Sequence, residues 1–582
     1  MSKFTKDLIG GMFVRKILAT LLAVITIFSC CSLAAFAETR SISDAIYDYI
    51  GNKSKSANMW EGNAARVAKE ITGFKDPVHV ISPCDGTKGL SVELVACAEP
   101  GYESKIFHAE YQWYSCTDLK YSNAKKIDGA SGKAFDTDEF NEPGNYYFFC
   151  KKTIYQNIIG KAVSVFSCLT NVFEVIYTGL PTVYVDTPDG KLINSNSEWT
   201  QGASIRISSG LEDKYSLDDT TIRIKGRGSS SWNISSKNGY TFKFDKKQNL
   251  FGLGKDKTWA LVGNFSDKSL LRNWLASELD ENVYDDGSEW NVQHISVDLV
   301  MNGEYRGNYT LATTVRIGSN RIDIPDISDS IDKDVNGDGS LNLYDGGFVV
   351  EVNERQDETY NFTTNHGFGM SLSDPDLDEP ADSNEAIYQH IVNVIQTAED
   401  ALYSDSFADA ESGYAKYIDV DSFVDYYLLK ELAKDVDGNF RLSTYIYYQP
   451  EDGKLHMAPC WDFDIAFGNV NYDGCDKYTG LQCRAGWYAR LFEDPVFEAK
   501  VAEKWNNTKP LLMSVLNNEL PSQIEKVRIS ANANFERWPI LGVYTWPVPS
   551  GVMGRQTWNS ELNYLTNWIL NRITYLDSVF NG

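Results

Sequence analysis

Positive charge is scarce in this 582-residue sequence: 54 Lys and Arg stand against 80 Asp and Glu, a formal net charge of −26. So acidic a chain repels a phosphate backbone, which argues against nucleic acid as a partner. The same imbalance suits a solvated surface or calcium-rich surroundings. A second long apolar run is also missing: after Phe28 none approaches the ~20 residues that a membrane span needs. Outside the N-terminal leader, with its Cys30 and Cys31, eight of the ten cysteines remain, and none of their spacings matches a zinc site. No internal repeat or long low-complexity tract is visible.

The length implies two or three domains, and a hydrophobic content of 43% is enough for real cores. Lys3, Lys6, Arg15 and Lys16 precede the apolar run Ile17–Phe28, and Ala35-Phe36-Ala37 offers a small-residue cleavage site before Glu38. Residues 1–37 therefore read as a secretory signal peptide, and the protein is expected to be secreted or at the cell surface. A retained anchor, or lipid attachment at Cys30, is the competing reading. Export permits disulfides. Cys84, Cys97, Cys116, Cys150 and Cys168 come early, and Cys460, Cys475 and Cys483 come late. Odd numbers in both groups mean a bridge between the groups or a free thiol in each.

Ile42, Ala45, Ile46, Tyr49 and Ile50 recur at helical spacing before Gly51, so residues 38–73 are expected to form a helical lead segment. Residues 74–178 change to short alternating strands. There Cys97, Trp113 and Cys150 are ordered as in an all-β immunoglobulin-like sandwich. The stretches YQWY at Tyr111–Tyr114 and PGNYYFFC at Pro143–Cys150 resemble strands of bacterial Ig-like modules. That resemblance implies a Cys97–Cys150 bridge and a spacer or adhesive role, with possible glycan or surface contact. Residues 180–582 run from strands to helices, an α+β order with a strand-rich lobe and a helical lobe.

The chemistry concentrates between Lys434 and Asn469. Strand-like runs Ser443–Gln449 and Lys454–Ala458 flank the turn Pro450–Gly453. Asp435 and Asp437 precede the first arm, and Asp462 and Asp464 follow the second. Paired strands lie roughly 5 Å apart, so these carboxylates converge at one rim. A cation, a proton or a substrate group must relieve that crowding. Upstream, TIRIKGRGSSSW ends a strand in Gly226-Arg227-Gly228 and Ser229, either a cradle for phosphate oxygens or an ordinary hairpin turn. Lys243 lies opposite Tyr240, Phe242 and Phe244 on an alternating strand, where a phosphate-binding lysine or a surface lysine would sit. Glu278, on the helix that follows Asp267-Lys268-Ser269, is a candidate partner for it, in competition with Glu281 and solvent. Separately, DVNGDGSLNLYD places Asp334, Asn336, Asp338, Ser340, Asn342 and Asp345 at EF-hand ligand positions, with Gly339 at the sharp turn. It resembles a dockerin loop, but no second loop accompanies it. An inserted Ca²⁺ site is expected, against an acidic turn without metal. Carboxylate, Asn439, strand, turn, strand, carboxylate is also the order found in kinase-type phosphoryl transfer, although HRD and DFG are absent.

These blocks, together with YTFKFDKKQNLFG, WALVGNFSDKSLLRN, VDLVMNGEYRGNY, GGFVVEVNE, PCWDFDIAFGN and the tail ELNYLTNWILNRITYLD, resemble the CotH kinase family from about Gly179 onward. The resemblance implies a protein-kinase-like two-lobed fold, ATP with Mg²⁺ or Mn²⁺, and transfer to serine or threonine of surface or secreted proteins. Asp437 takes the catalytic role, and Asp462, with Asp464 beside it, holds metal. Lys243, Arg227, Gly228, Ser229, Glu278 and Asn439 form the nucleotide side. Ser229 stands where the family commonly has Asn, and Asn238-Gly239 replaces Lys-Pro. The leading expectation is an exported atypical protein kinase with an inserted calcium-type loop at 334–345. A catalytically silent cell-surface or polysaccharide-degrading-complex protein is the alternative. A paired-carboxylate glycosidase is a third reading, without a sugar-binding framework by motif.

Overall fold

A computed structural model describes residues 60–61, 64–66, 78–84, 88–96, 107–158, 160–211, 215–284, 290–332, 342–377 and 384–581. The chain divides into two compact units, Met1–Gly179 with Gly303–Tyr305, and Leu180–Asn302 with Arg306–Gly582.

In the first unit, strands β1 (Trp60–Glu61) and β2 (Ala64–Arg66) stand inside the stretch expected to be helical. The helix expected at Ile42–Ile50 lies outside the described residues, as do the signal segment and Cys97. Next come β3 (Val78–Ile81), β4 (Glu93–Val95), β5 (Phe107–Cys116), β6 (Lys125–Lys126) and β7 (Ala134–Asp136). The unit closes with β8 (Gly144–Ile158), β9 (Lys161–Leu169) and β10 (Phe173–Tyr177). One sheet runs β1-β3-β10-β8-β5-β6 with β9 on β8, and β2-β4-β7 form a second. Residues of both sheets share one core, in which buried Trp113 contacts Phe135 and Phe173, with centroids 5.5 Å away in each case. Trp113 is paired across the β5–β8 ladder with Cys150.

The second unit opens with β11 (Thr182–Asp186), β12 (Thr200–Ser208), β13 (Leu217–Arg227), β14 (Gly239–Asn249) and β15 (Lys255–Val262). With β16 (His294–Met301) and β17 (Glu304–Ala312) they form a closed barrel in the order β11-β12-β13-β14-β15-β17-β16. Every second side chain points inward, so Ile222 and Ile224 of β13 meet Phe242 and Phe244 of β14 around Trp259. Beyond the barrel, β18 (Phe348–Val352), β19 (Asn361–Thr363), β20 (Gly369–Asp374), β21 (Thr444–Gln449) and β22 (Lys454–Met457) build a sheet in the order β19-β20-β18-β21-β22. The helices are α1 (Ser230–Ile234), α2 (Arg272–Asn282), α3 (Asn384–Tyr403) and α4 (Val420–Ala433), followed by α5 (Trp487–Leu491), α6 (Pro495–Ser514), α7 (Leu520–Arg537) and α8 (Trp558–Phe580). All but α1, whose Trp232 packs on the barrel core, share the unit's largest core with this sheet. The class is mixed α/β. Most of the expected calcium loop, including Asp334, Asn336, Asp338 and Ser340, lies outside the described residues; Asp345 ends a short 3₁₀ turn, where its carboxylate accepts from the Asn342 amide.

Candidate active site

Helix α4 delivers the first pair of carboxylates. Asp419 caps its start by accepting from the Ser422 N–H, and Lys434 ends it in the left-handed region at φ 48°. Asp435 follows, fully buried, with the Lys430 ammonium 2.7 Å from its Oδ2. Lys430 also donates to the Trp461 carbonyl at 3.1 Å, so one cation ties the two ends of the hairpin together. Burial alone would lower this ammonium, but Asp435 beside it holds it above the ordinary lysine value. Asp435 is thereby a structural counter-ion.

Asp437 lies two residues further on, with no ion pair of its own among the described residues. Burial pushes its carboxyl up to about 7, and the charges of Asp435 and Asp462 add to the shift. Asn439, expected on the nucleotide side, turns away: its Oδ1 accepts from the Ala485 N–H at 3.1 Å. The side chain there fixes a loop.

Strands β21 and β22 pair as the expected hairpin, with Ile446 opposite Met457, and return the chain to Trp461. Asp462 follows in the left-handed region at φ 66°, an unusual conformation for a non-glycine residue that over-determined neighbours maintain. Those neighbours are visible. Phe463 N–H donates to Asn273 Oδ1 of α2 at 2.7 Å, Phe467 N–H to the Ala433 carbonyl at 2.7 Å, and Arg272 to the Ala466 carbonyl at 3.1 Å. The Asp462 side chain stays open to solvent within the cleft although protein crowds its flanks, and it shares a hydrogen bond with Asp464. Burial raises both carboxyls; Arg227 opposes the rise at Asp462, whereas Asp462, Asp267 and Asp437 reinforce it at Asp464. These two hydrogen-bonded acids, 25 and 27 residues beyond Asp437, form an oxygen-rich donor set that a hard divalent cation would satisfy.

Asp462 and Asp464 face a cleft open to solvent, lined also by Arg227, Gly228, Lys237, Val262 and His294 among others. The cleft opens at one end of the barrel, where Arg227 of β13 is paired with Gly239 of β14. The glycines keep the wall bare. A Cβ on Gly226 would sit 2.2 Å from the Trp232 ring, and one on Gly228, at φ 98°, 2.1 Å from Ser231 Oγ. Arg227 lays its guanidinium 4.4 Å over Trp461, whose ring also stacks with His294 at 6.0 Å. Burial, with Arg227 adding, drives the imidazole down to about 3, so it is neutral. Ser229 caps α1 in the open, while Ser231 and Ser235 line the cleft.

Two expected residues lie elsewhere. Lys243 sits half-exposed on the outer side of the barrel, paired with Arg223 and Thr258, because alternation turns it away from the side filled by Phe242 and Phe244. Burial lowers its ammonium, and Arg223 and Arg316 add to that. Glu278 on α2 is pushed up to about 7 by burial and by Glu281 and Glu519, with no contact to Lys243. The lysine that does line the cleft is Lys237, 2% exposed, just ahead of β14. Its signal in the sequence is its place directly before Asn238-Gly239, where the strand begins.

No curated protein matches the chain. A family model described as CotH kinase protein matches residues 222–576, from β13 through the cleft and both pairs of carboxylates into α8. With that span covering more than half of its length, the chain belongs to the CotH kinase family.

Proposed function

We propose that the protein is an exported kinase that transfers the terminal phosphoryl group of ATP to serine or threonine of surface or secreted proteins. Its second unit would be the two-lobed kinase-like body. The first would be an Ig-like spacer that contacts glycans or the surface, a reading supported by Trp113 in its core beside Cys150. The observation that carries the proposal is that Asp462 and Asp464 line one cleft with Arg227 and a glycine-bare loop, with Asp437 near enough for the charge of Asp462 to raise its carboxyl.

In this reading Asp462 and Asp464 hold Mg²⁺ or Mn²⁺, which supplies charge neutralisation on the phosphates. Arg227, held flat against Trp461 and in no ion pair among the described residues, is placed to grip phosphate oxygens. Asp437 orients the acceptor hydroxyl and takes its proton; a carboxyl near neutrality suits that exchange. The calcium-type loop at 334–345 would be a separate structural Ca²⁺ site, whose expected signature is a melting temperature lowered by chelator in wild type but not in Asp334→Ala.

The kinase reading is tested by thermal shift with ATP and Mg²⁺ or Mn²⁺. Nucleotide at 100 times its Kd should stabilise the second unit by about 2.7 kcal/mol. Asp462→Ala should remove the metal-dependent part. Absence of a shift with any nucleotide would sink the proposal in favour of a catalytically silent surface protein.

A further inference from the structure

We infer that Lys237, a residue just ahead of the barrel strand rather than on it, is the phosphate-gripping lysine of the cleft, selecting polyphosphate over monophosphate ligands. The inference rests on the nucleotide reading above and replaces Lys243 in it.

Lys237 is 2% exposed and lines the same cleft as Arg227 and Asp462. Its Nζ donates to the Asn308 carbonyl at 2.5 Å and lies 4.9 Å from the Tyr309 ring centroid. No carboxylate forms an ion pair with it among the described residues. A buried ammonium that lacks a counter-ion is strongly disfavoured, and an anion beside it offsets that cost. The charged and titratable groups that face it are Asp298 on β16, Asp267 before α2, and Arg306 and Tyr309 on β17. Asp298 and Asp267 are engaged elsewhere, Asp298 by Ser530 Oγ at 2.6 Å and Asp267 by the Arg272 guanidinium at 2.5 Å. An anion arriving in the cleft would therefore be the direct partner.

The surroundings hold this lysine in place. A Cβ on Gly263 would sit 2.4 Å from the Lys237 carbonyl, and one on Gly307, at φ 106°, 3.2 Å from its Cε. Asn308, which receives the ammonium, is itself fixed by α7: its N–H donates to Asn534 Oδ1 at 3.2 Å and its amide to Ser530 Oγ at 2.9 Å. Helix α7 thus positions the acceptor that aims Lys237. Burial lowers the ammonium to about 7, with Arg306 adding and the two aspartates opposing. Near pH 8 the amine is then mostly neutral and takes up a proton from buffer when phosphate binds.

Isothermal titration calorimetry on the full chain tests the inference, with Mg·ATP, AMP and metal-free tripolyphosphate as ligands at pH 8 in buffers of different ionisation enthalpy. Lys237→Met should weaken Mg·ATP by about tenfold to a hundredfold and leave AMP nearly unchanged. Lys237→Arg should retain binding yet lose the proton uptake seen in wild type, a readout that a purely structural lysine would not move. Lys243→Met should bind as wild type does. Unchanged Mg·ATP affinity in Lys237→Met, or equal proton uptake in wild type and Lys237→Arg, would overturn the inference while the kinase reading stands. If wild type binds no nucleotide, the kinase reading falls and tripolyphosphate decides the lysine: binding lost in Lys237→Met keeps it, and no binding to wild type ends it.

Discussion

At the scale of single residues, Asp437 makes the stability of the second unit depend on pH. Its folded value near 7 lies far above the 3.8 expected of an unfolded aspartate. Between those values the folded chain binds the extra proton, so its stability falls as pH rises through that window. Asp437→Asn should flatten the decline and stabilise the second unit at pH 8 by about 1–2 kcal/mol, after allowance for the carboxyl's partial exposure. Denaturant titrations at pH 5 and pH 8 check this; equal stabilisation at both would contradict it. Mn²⁺ should act in the opposite sense, stabilising more as pH rises from 5 to 8, because the acids that would hold it must first lose protons. The legible residues were those flanking a local hairpin, since strand pairing alone brings Asp437 and Asp462 to one rim. Lys237 was not legible in this way. Alternation reasoning selects a lysine on a strand, whereas the cleft opens at strand ends, where barrel closure decides which side chains meet.

At the scale of elements, the rim depends on what lies beneath α4. Glu431 pairs at 2.5 Å with Arg572 of α8, both fully buried, and also accepts from the N–H groups of Gln482 and Cys483. Arg572 in turn donates to the carbonyls of Tyr478 and Gly480. Arg572→Met should cost about 3–5 kcal/mol, because it strands a buried carboxylate. Urea denaturation of the second unit measures it. A loss below 1 kcal/mol would mean that water replaces the guanidinium. The hairpin, α2 and the terminal helix could be read from the sequence because their backbone hydrogen bonds join residues close along the chain. The barrel could not, since its closure requires β11 to pair with β16 from far along the chain. The lead segment was legible only as a length of chain: Trp60–Glu61 and Ala64–Arg66 form strands within it, beyond the helical spacing of Ile42–Ile50.

At the scale of the whole molecule, two units with separate cores should unfold separately. Scanning calorimetry should show two transitions, of which Mg·ATP raises one. A single transition, or a nucleotide shift in both, would show that the units unfold together. The change of texture near Gly179 was legible because an all-β stretch gives way there to strands followed by helices.

The Lys430 clamp bears on how mutagenesis of this site should be read. Replacing Asp435 would leave an ammonium with no exit to water and let the Trp461 turn drift, so under the proposed kinase reading any turnover would be lost as it would be after loss of Asp437. A screen scored by activity alone would rank the two aspartates together. Only the melting curve would tell the foundation from the reagent.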